Sequence, residues 1–135
     1  MQNKIISIDE VLKQLEEIIA DSEKNNSTLG YFAALYHKVT LKVKEGIENN
    51  FFENGPRMEK LDVIFALRYI DAYSGWKNKN TCTKAWKYTF DHASKNSLIV
   101  LQHLLLGMNA HINLDLGIAA AQTSGDSNID DLEND

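Results

Sequence analysis

Ser97–Gln122, with the sequence SLIVLQHLLLGMNAHINLDLGIAAAQ, decides the fold because it predicts one long and very apolar helix. The segment is long enough to span a bilayer, but six polar residues interrupt it, which disfavours a membrane span. These residues are Gln102, His103, Asn109, His111, Asn113 and Asp115. We therefore expect a central helix that is buried by other helices of the same protein.

Four more segments show the apolar spacing of amphipathic helices. They run from Ser7 to about Lys24, from Ser27 or Thr28 to about Asn50, from about Met58 to Tyr73, and from about Thr83 to Ser94. One proline and seven glycines in 135 residues favour long helices over a turn-dense β-sandwich. The sequence therefore predicts an all-α, up-and-down-like bundle of about five helices with a buried central helix.

The composition excludes several classes of function. With 44% apolar and 24% charged residues, the 15.3 kDa chain has the balance of one globular domain. A net charge of -5 leaves no basic footprint, so we expect neither nucleic acid nor an anionic membrane as a partner. The single cysteine, Cys82, excludes an internal disulfide, and a position near a helix start predicts a modestly lowered pKa for its thiol. The N-terminus has no signal-peptide pattern, which predicts a cytoplasmic protein.

The C-terminal segment differs from the rest of the chain. Residues 1–123 predict one helical domain with no net formal charge, whereas residues 124–135 carry five acids and no base. We interpret 124–135 either as an acidic tail or as a truncated continuation of the helical part. In the second case the bundle needs a second copy or a partner chain to complete it.

The polar residues of the long helix fall into two stripes at about 100° per residue. His111 and Asp115 lie one turn apart on one side, and Asn109 and Asn113 lie nearly opposite. A helical His-x-x-x-Asp pair directs an imidazole and a carboxylate toward one point, an arrangement that suits a divalent metal or an acid–base pair. This spacing alone is weak evidence for a site, because with 19 acids in 135 residues an acid often falls four positions after a histidine by chance.

Two interpretations of these residues remain open. In the functional one, His111, Asp115, Arg68 and Asp62 form a catalytic pocket, and His111, Asp115 and Asp62 hold one divalent metal ion. Asn109, Asn113, Asp71 and His37 are then the candidates for substrate contacts or supporting contacts. In the structural one, His111 pairs with Asp115 or with a backbone carbonyl, and Asp115 pairs with Arg68. In either interpretation, a buried guanidinium of Arg68 needs a carboxylate partner.

The run Gly107–Leu116, GMNAHINLDL, resembles the hallmark of a bacterial family of uncharacterised all-helical proteins. Further similar positions include Asp62, Arg68 and Trp86, and the likeness extends over about 32–120. The resemblance implies an all-α fold and supports Asp62, Arg68, Asn109, His111 and Asp115 as a set. Members are usually longer than this chain, and the resemblance implies no particular reaction.

A weaker likeness connects the His-x-x-x-Asp pair to zinc-dependent phospholipase C and nuclease bundles. Those proteins continue with another histidine where this chain has Ala121, and they use an N-terminal tryptophan ligand that is missing here. A three-zinc site is therefore not expected, and the alternative that this likeness leaves open is a reduced site with a single metal ion.

These observations lead to two functional hypotheses. The first is a small-molecule enzyme, hydrolytic or isomerising and with or without a metal, that uses the pocket of His111, Asp115, Arg68 and Asp62. The second is a non-catalytic binding or assembly protein in which the buried polar residues fix helix register.

Overall fold

The computed structural model describes residues 7–93 and 100–125, and all regular structure in this part is helical. Four helices come first: α1, Ile8–Lys24; α2, Gly30–Glu48; α3, Gly55–Lys77; and α4, Lys84–Ala93. The fifth, α5, consists of an α-helical part, Val100–Ala110, a π-helical part, His111–Leu116, and a second α-helical part, Gly117–Ser124. The predicted all-α bundle of five helices is confirmed. The start predicted for α5 at Ser97 and most of the acidic segment 124–135 lie outside the described residues.

The helix ends follow from local chemistry. The Ser7 hydroxyl accepts a hydrogen bond from the Glu10 amide, which caps α1 as its sequence predicts. Helix α3 continues four residues beyond the predicted end at Tyr73. The Ser74–Gly75 pair resembles a breaker in sequence, but Gly75 lies where an added Cβ would be 2.7 Å from the Thr81 carbonyl oxygen. The glycine therefore serves a close approach of the following segment and does not end the helix.

Helices α1 and α2 pack against each other in antiparallel directions. Lys44 of α2 pairs with Asp9 at the start of α1 at 2.6 Å. Helices α3 and α5 also run antiparallel, since Lys60 Nζ donates to the Thr123 carbonyl at 3.3 Å. The hydrophobic core of the bundle contains many aromatic rings from α2, α3 and α4, which are Phe32, Tyr36, Tyr69, Tyr73, Trp86 and Phe90. This antiparallel arrangement brings the middle of α3 beside the middle of α5.

Helix α5 is buried on one face only, so the burial predicted for the central helix applies to that face and not to the whole helix. His103, Ala110, His111, Asp115 and Ala119 are at most 6% exposed. On the other face, Leu105, Met108, Ile112 and Leu116 are 37–54% exposed. In the described part of the chain, 102–124 is also the one helix long and apolar enough to cross a membrane, and 28% of its most apolar window is buried. The other helices cover only its inner side, so its apolar composition does not translate into full burial.

Gly107 sets the close packing between α2 and α5. An added Cβ at this position would lie 2.5 Å from Cδ2 of the buried Phe32 ring. A glycine is therefore required for the aromatic ring to pack directly on the α5 backbone. This contact holds α2 beside the inner face of α5, where His111 is located.

Candidate functional site

The carboxylate of Asp115 is the centre of a buried hydrogen-bond network. Its Oδ1 accepts from Nε of Arg68 at 3.2 Å, and its Oδ2 accepts from Nε1 of Trp86 at 2.7 Å. Its Oδ2 also lies 3.1 Å from Nδ1 of His111. Asp115 is 0% exposed. A carboxylate removed from water in this way needs such donors, because a buried charge without partners is strongly destabilising.

The His111 ring is held by aromatic packing as well as by Asp115. It stacks on Phe65 with ring centroids 3.6 Å apart, and Tyr36 meets it edge-on at 4.6 Å. The residue is 2% exposed. Burial lowers the pKa of His111, although the hydrogen bond and charge of Asp115 partly oppose this effect. The imidazole is therefore neutral at pH 7.

The hydrogen bond to Asp115 determines which imidazole nitrogen carries the proton. A carboxylate can only accept, so Nδ1 of His111 donates to it and Nε2 presents a lone pair. This Nε2 is buried and has no hydrogen-bond partner. The ring therefore has the orientation and tautomer of a general base.

Two more buried side-chain oxygens lack hydrogen-bond partners. They are the Tyr36 hydroxyl on α2 and Oδ2 of Asp62 on α3. Burial, and next the negative charge of Glu59, raises the pKa of Asp62 to about 7. Burial also raises the pKa of Tyr36 well above its usual value, and the charges of Asp62 and Asp115 add to that effect. Tyr36 packs on His111, and the charge of Asp62 acts on Tyr36. We call Tyr36, Asp62 and His111 the interior polar cluster.

The π-helical turn of α5 contains both central residues of the network. His111 begins this turn and Asp115 lies within it, so both inward-facing side chains come from the irregular part of the helix. Ala110 and Gly117, which flank the turn, keep ordinary helical backbone angles. π-Helical turns are rare within α-helices and are frequently found at functional sites.

Arg68 connects the network to the protein surface. Its side chain is 31% exposed and its Nε is bound to Asp115. It lines an open cleft of about 390 Å³ together with Asp71, Ala72, Thr81, Cys82 and Thr83. Partial burial raises the pKa of Asp71, and the charge of Arg68 partly offsets it. Burial also raises the pKa of the Cys82 thiol, so the lowered value expected from its position near a helix start is wrong.

Asn109, Asn113 and His37, which were predicted to belong to the site, lie away from the network. Asn109 and Asn113 lie on the exposed face of α5, where Nδ2 of Asn113 donates to Oδ1 of Asn109 at 2.6 Å. His37 pairs instead with Glu16 of α1, at 3.1 Å. It follows Tyr36 on α2, and a step of about 100° per residue turns its side chain away from His111.

The predicted metal ligands do not form a complete ligand set. In the parts of the chain that the structure describes, no three His, Cys, Asp or Glu side chains are grouped so that they could hold a metal ion. Asp115 already accepts from Arg68, Trp86 and His111, which leaves its carboxylate poorly suited to a cation. Among the three predicted metal ligands, the buried atoms that have no hydrogen-bond partner and could still bind a metal ion are Nε2 of His111 and Oδ2 of Asp62.

Trp86 and Tyr36 contribute polar atoms to the site that the sequence did not predict. Trp86 is 1% exposed, and a buried indole N–H nearly always needs an acceptor. Few acids occur in the apolar helices, so a search for the acceptor of Trp86 leads to Asp62 or Asp115. That signal was available in the sequence, whereas the position of the Tyr36 hydroxyl was not.

Comparison with known proteins gives a family but no function. No curated protein and no solved structure matches the chain. A family model matches residues 8–135, which include all five helices and every residue of the network. The resemblance to an uncharacterised helical family is thereby confirmed: the chain belongs to the family described as Family of unknown function (DUF5995).

Proposed function

We propose that the protein is an enzyme that performs acid–base chemistry on a small molecule at the interior polar cluster. One observation carries the proposal: of eight buried side-chain polar atoms without a hydrogen-bond partner in the described residues, three belong to the interior polar cluster. Each such atom costs about 1–3 kcal/mol, and native proteins seldom keep several of them in one region. A ligand that supplies their partners accounts for all three.

His111 is the base in this proposal. Asp115 holds its ring through Nδ1, and Phe65 and Tyr36 restrict its rotation, so Nε2 is aimed before a substrate arrives. Arg68 and Trp86 act through Asp115 and are positioning residues. The lowered pKa of His111 keeps Nε2 unprotonated at pH 7, as a base requires.

Asp62 is the acid. With a pKa of about 7, it carries a proton in a large fraction of molecules at neutral pH. A neutral base and a protonated acid in one interior suit a reaction in which His111 removes a proton and Asp62 delivers one. An isomerisation needs these two steps, and a hydrolysis needs the base to activate water and the acid to protonate the leaving group.

Access to the cluster requires movement. Tyr36, Asp62 and His111 are 5%, 4% and 2% exposed, so a substrate reaches them only when one of the covering helices shifts. Such closed sites exclude water during the reaction and open on a slower timescale. A ligand that binds inside should therefore slow the exchange of the α3 and α5 backbone amides.

Isotope incorporation tests the reaction. Wild-type protein is incubated with a pool of cell metabolites in D₂O or in H₂¹⁸O, and products are read by mass spectrometry. An isomerisation through His111 adds deuterium at the exchanged carbon, and a hydrolysis adds ¹⁸O to one product. His111→Asn should remove the signal, while His37→Asn, a change at a surface histidine paired with Glu16, should keep it. The proposal fails if wild type labels nothing, or if His111→Asn labels as wild type does.

An assembly protein with structural polar residues is the second candidate, because Asp115 has all its partners and the outer face of α5 is exposed. The variant Tyr36→Phe separates the two. A hydroxyl kept for function stabilises nothing, so its loss should leave the free energy of unfolding unchanged or higher. Tyr73→Phe is the matched control, since the Tyr73 hydroxyl donates to Asp21 at 3.0 Å and its loss should cost about 1 kcal/mol. A loss of that size for Tyr36→Phe favours the structural candidate.

A further inference from the structure

The outer face of α5 is apolar and lacks a partner in the described part of the chain. Leu105, Met108, Ile112 and Leu116 follow one another at helical spacing and are 54%, 37%, 48% and 37% exposed. We call these four residues together with Asn109 and Asn113 the outer α5 face. Contiguous exposed apolar side chains of this size mark interaction surfaces, because isolated ones are common but a row is not.

The charge of α5 favours a like partner. From Gln102 to Ser124 the only charged residue is Asp115, and it is 0% exposed. The outer α5 face can therefore approach its own counterpart without charge repulsion. A membrane-surface helix would instead carry Lys or Arg beside its apolar face, and this one has none.

The hydrogen-bonding groups of Asn109 and Asn113 make the outer α5 face complementary to a second copy of itself. Within one chain, Nδ2 of Asn113 donates to Oδ1 of Asn109 at 2.6 Å. This bond leaves the Asn109 amino group as a donor and the Asn113 carbonyl as an acceptor. When two α5 helices cross antiparallel about a two-fold axis, Asn109 of each faces Asn113 of the other. The unused donor and acceptor then meet twice, and all four amides are paired.

Gly117 supplies room for the same arrangement. With Asn109 opposite Asn113, Leu105 of one copy lies opposite Gly117 of the other. A Cβ added at Gly117 would have no atom within 4 Å, so the space above this glycine is open. We propose that the outer α5 face binds a second copy of this chain as an antiparallel, two-fold symmetric helix pair. This proposal does not depend on the enzymatic one.

Sedimentation velocity over a range of protein concentrations tests it, with Ile112→Glu as the disrupting variant. Wild type should sediment as a dimer, and the buried like charges of Ile112→Glu should raise the dissociation constant by about 100-fold or more. Phe51→Glu is the matched control, because Phe51 is 79% exposed but lies in the loop after α2. It should dimerise like wild type. Far-UV circular dichroism checks that each variant is folded.

A second variant covers the case in which Ile112→Glu does not fold. Asn109→Asp combined with Asn113→Asp changes only exposed side chains and should also produce monomers. Monomeric wild type at every concentration overturns the proposal, as does equal weakening by Phe51→Glu. So does binding of monomeric wild type to phospholipid vesicles that Ile112→Glu abolishes, since the face would then serve a membrane.

Discussion

Replacing Asp115 with alanine removes the one acceptor that three side chains share. Arg68 Nε, Trp86 Nε1 and His111 Nδ1 all lose their partner in this variant. The three donors differ in burial, and burial decides what each loss costs. The side chains of Arg68 and His111 are 31% and 3% exposed, and Trp86 as a residue is 1% exposed.

The expected loss follows from those exposures. The indole and imidazole N–H groups remain buried without an acceptor. Each such group lowers the free energy of unfolding by about 1–3 kcal/mol, so the two together lower it by about 2–6 kcal/mol. The half-buried guanidinium of Arg68 gains water instead and adds little. We therefore expect Asp115→Ala to lower the free energy of unfolding by about 4 kcal/mol, within the range of about 3–5 kcal/mol for breaking a buried ion pair. This loss is a large part of the total stability of a small domain.

Urea unfolding at pH 7, followed by circular dichroism, measures the loss. Asp71→Ala is the matched control, because Asp71 is an exposed carboxylate on α3. Its change should alter stability by no more than about 0.5 kcal/mol. A loss below about 1 kcal/mol for Asp115→Ala, or one no larger than that of Asp71→Ala, would refute the assignment of Asp115 as the centre of the network.

Three further variants test neighbouring parts of the account. Because burial raises the folded-state pKa of Asp62 to about 7 from 3.8, the folded state binds its proton more tightly, and stability should fall as pH rises from about 4 to 7. Asp62→Asn should remove that fall and gain about 3–4 kcal/mol at pH 8 in urea curves, whereas an unchanged pH profile contradicts this. Trp86→Phe, which removes the 2.7 Å donor to Asp115, should cost about 1.5–3 kcal/mol, and no loss argues against that bond. Gly107→Ala should lower stability by about 1–3 kcal/mol because of the 2.5 Å contact with Phe32, and a neutral thermal melt rules out such tight packing.

The fold was largely predictable because it depends on local signals. The capping pattern at Ser7 and the apolar spacing of α1 give its bounds to within about a residue, since both act over a few residues. The end of α3 was predicted too early because Gly75 is required by its contact with Thr81 and does not end the helix. The local sequence pattern around Gly75 does not reveal this tertiary contact. The exposed face of α5 was missed for a similar reason: hydrophobicity states which residues avoid water, but not whether enough neighbours exist to cover them.

The site was predictable in part. Helical geometry brought His111 and Asp115 together, and the need of Arg68 for a carboxylate pointed to Asp115 among several choices. His37 was grouped with them only because it is a histidine, and the rotation of α2 places it against Glu16 instead. The buried indole of Trp86 indicates that an acceptor is needed, but the choice of Asp115 depends on how α4 packs against α3 and α5, which is a tertiary property.

The protonation of His111 tests the central claim most directly. Nitrogen-15 chemical shifts of the imidazole, measured by NMR as a function of pH, report which nitrogen carries the proton and the pKa of the ring. The account predicts a neutral ring at pH 7 with hydrogen on Nδ1, a free lone pair on Nε2 and a pKa below the usual value. A ring protonated on Nε2 at pH 7, in either the neutral or the charged form, would contradict it, because Nε2 would then have no lone pair for a substrate proton.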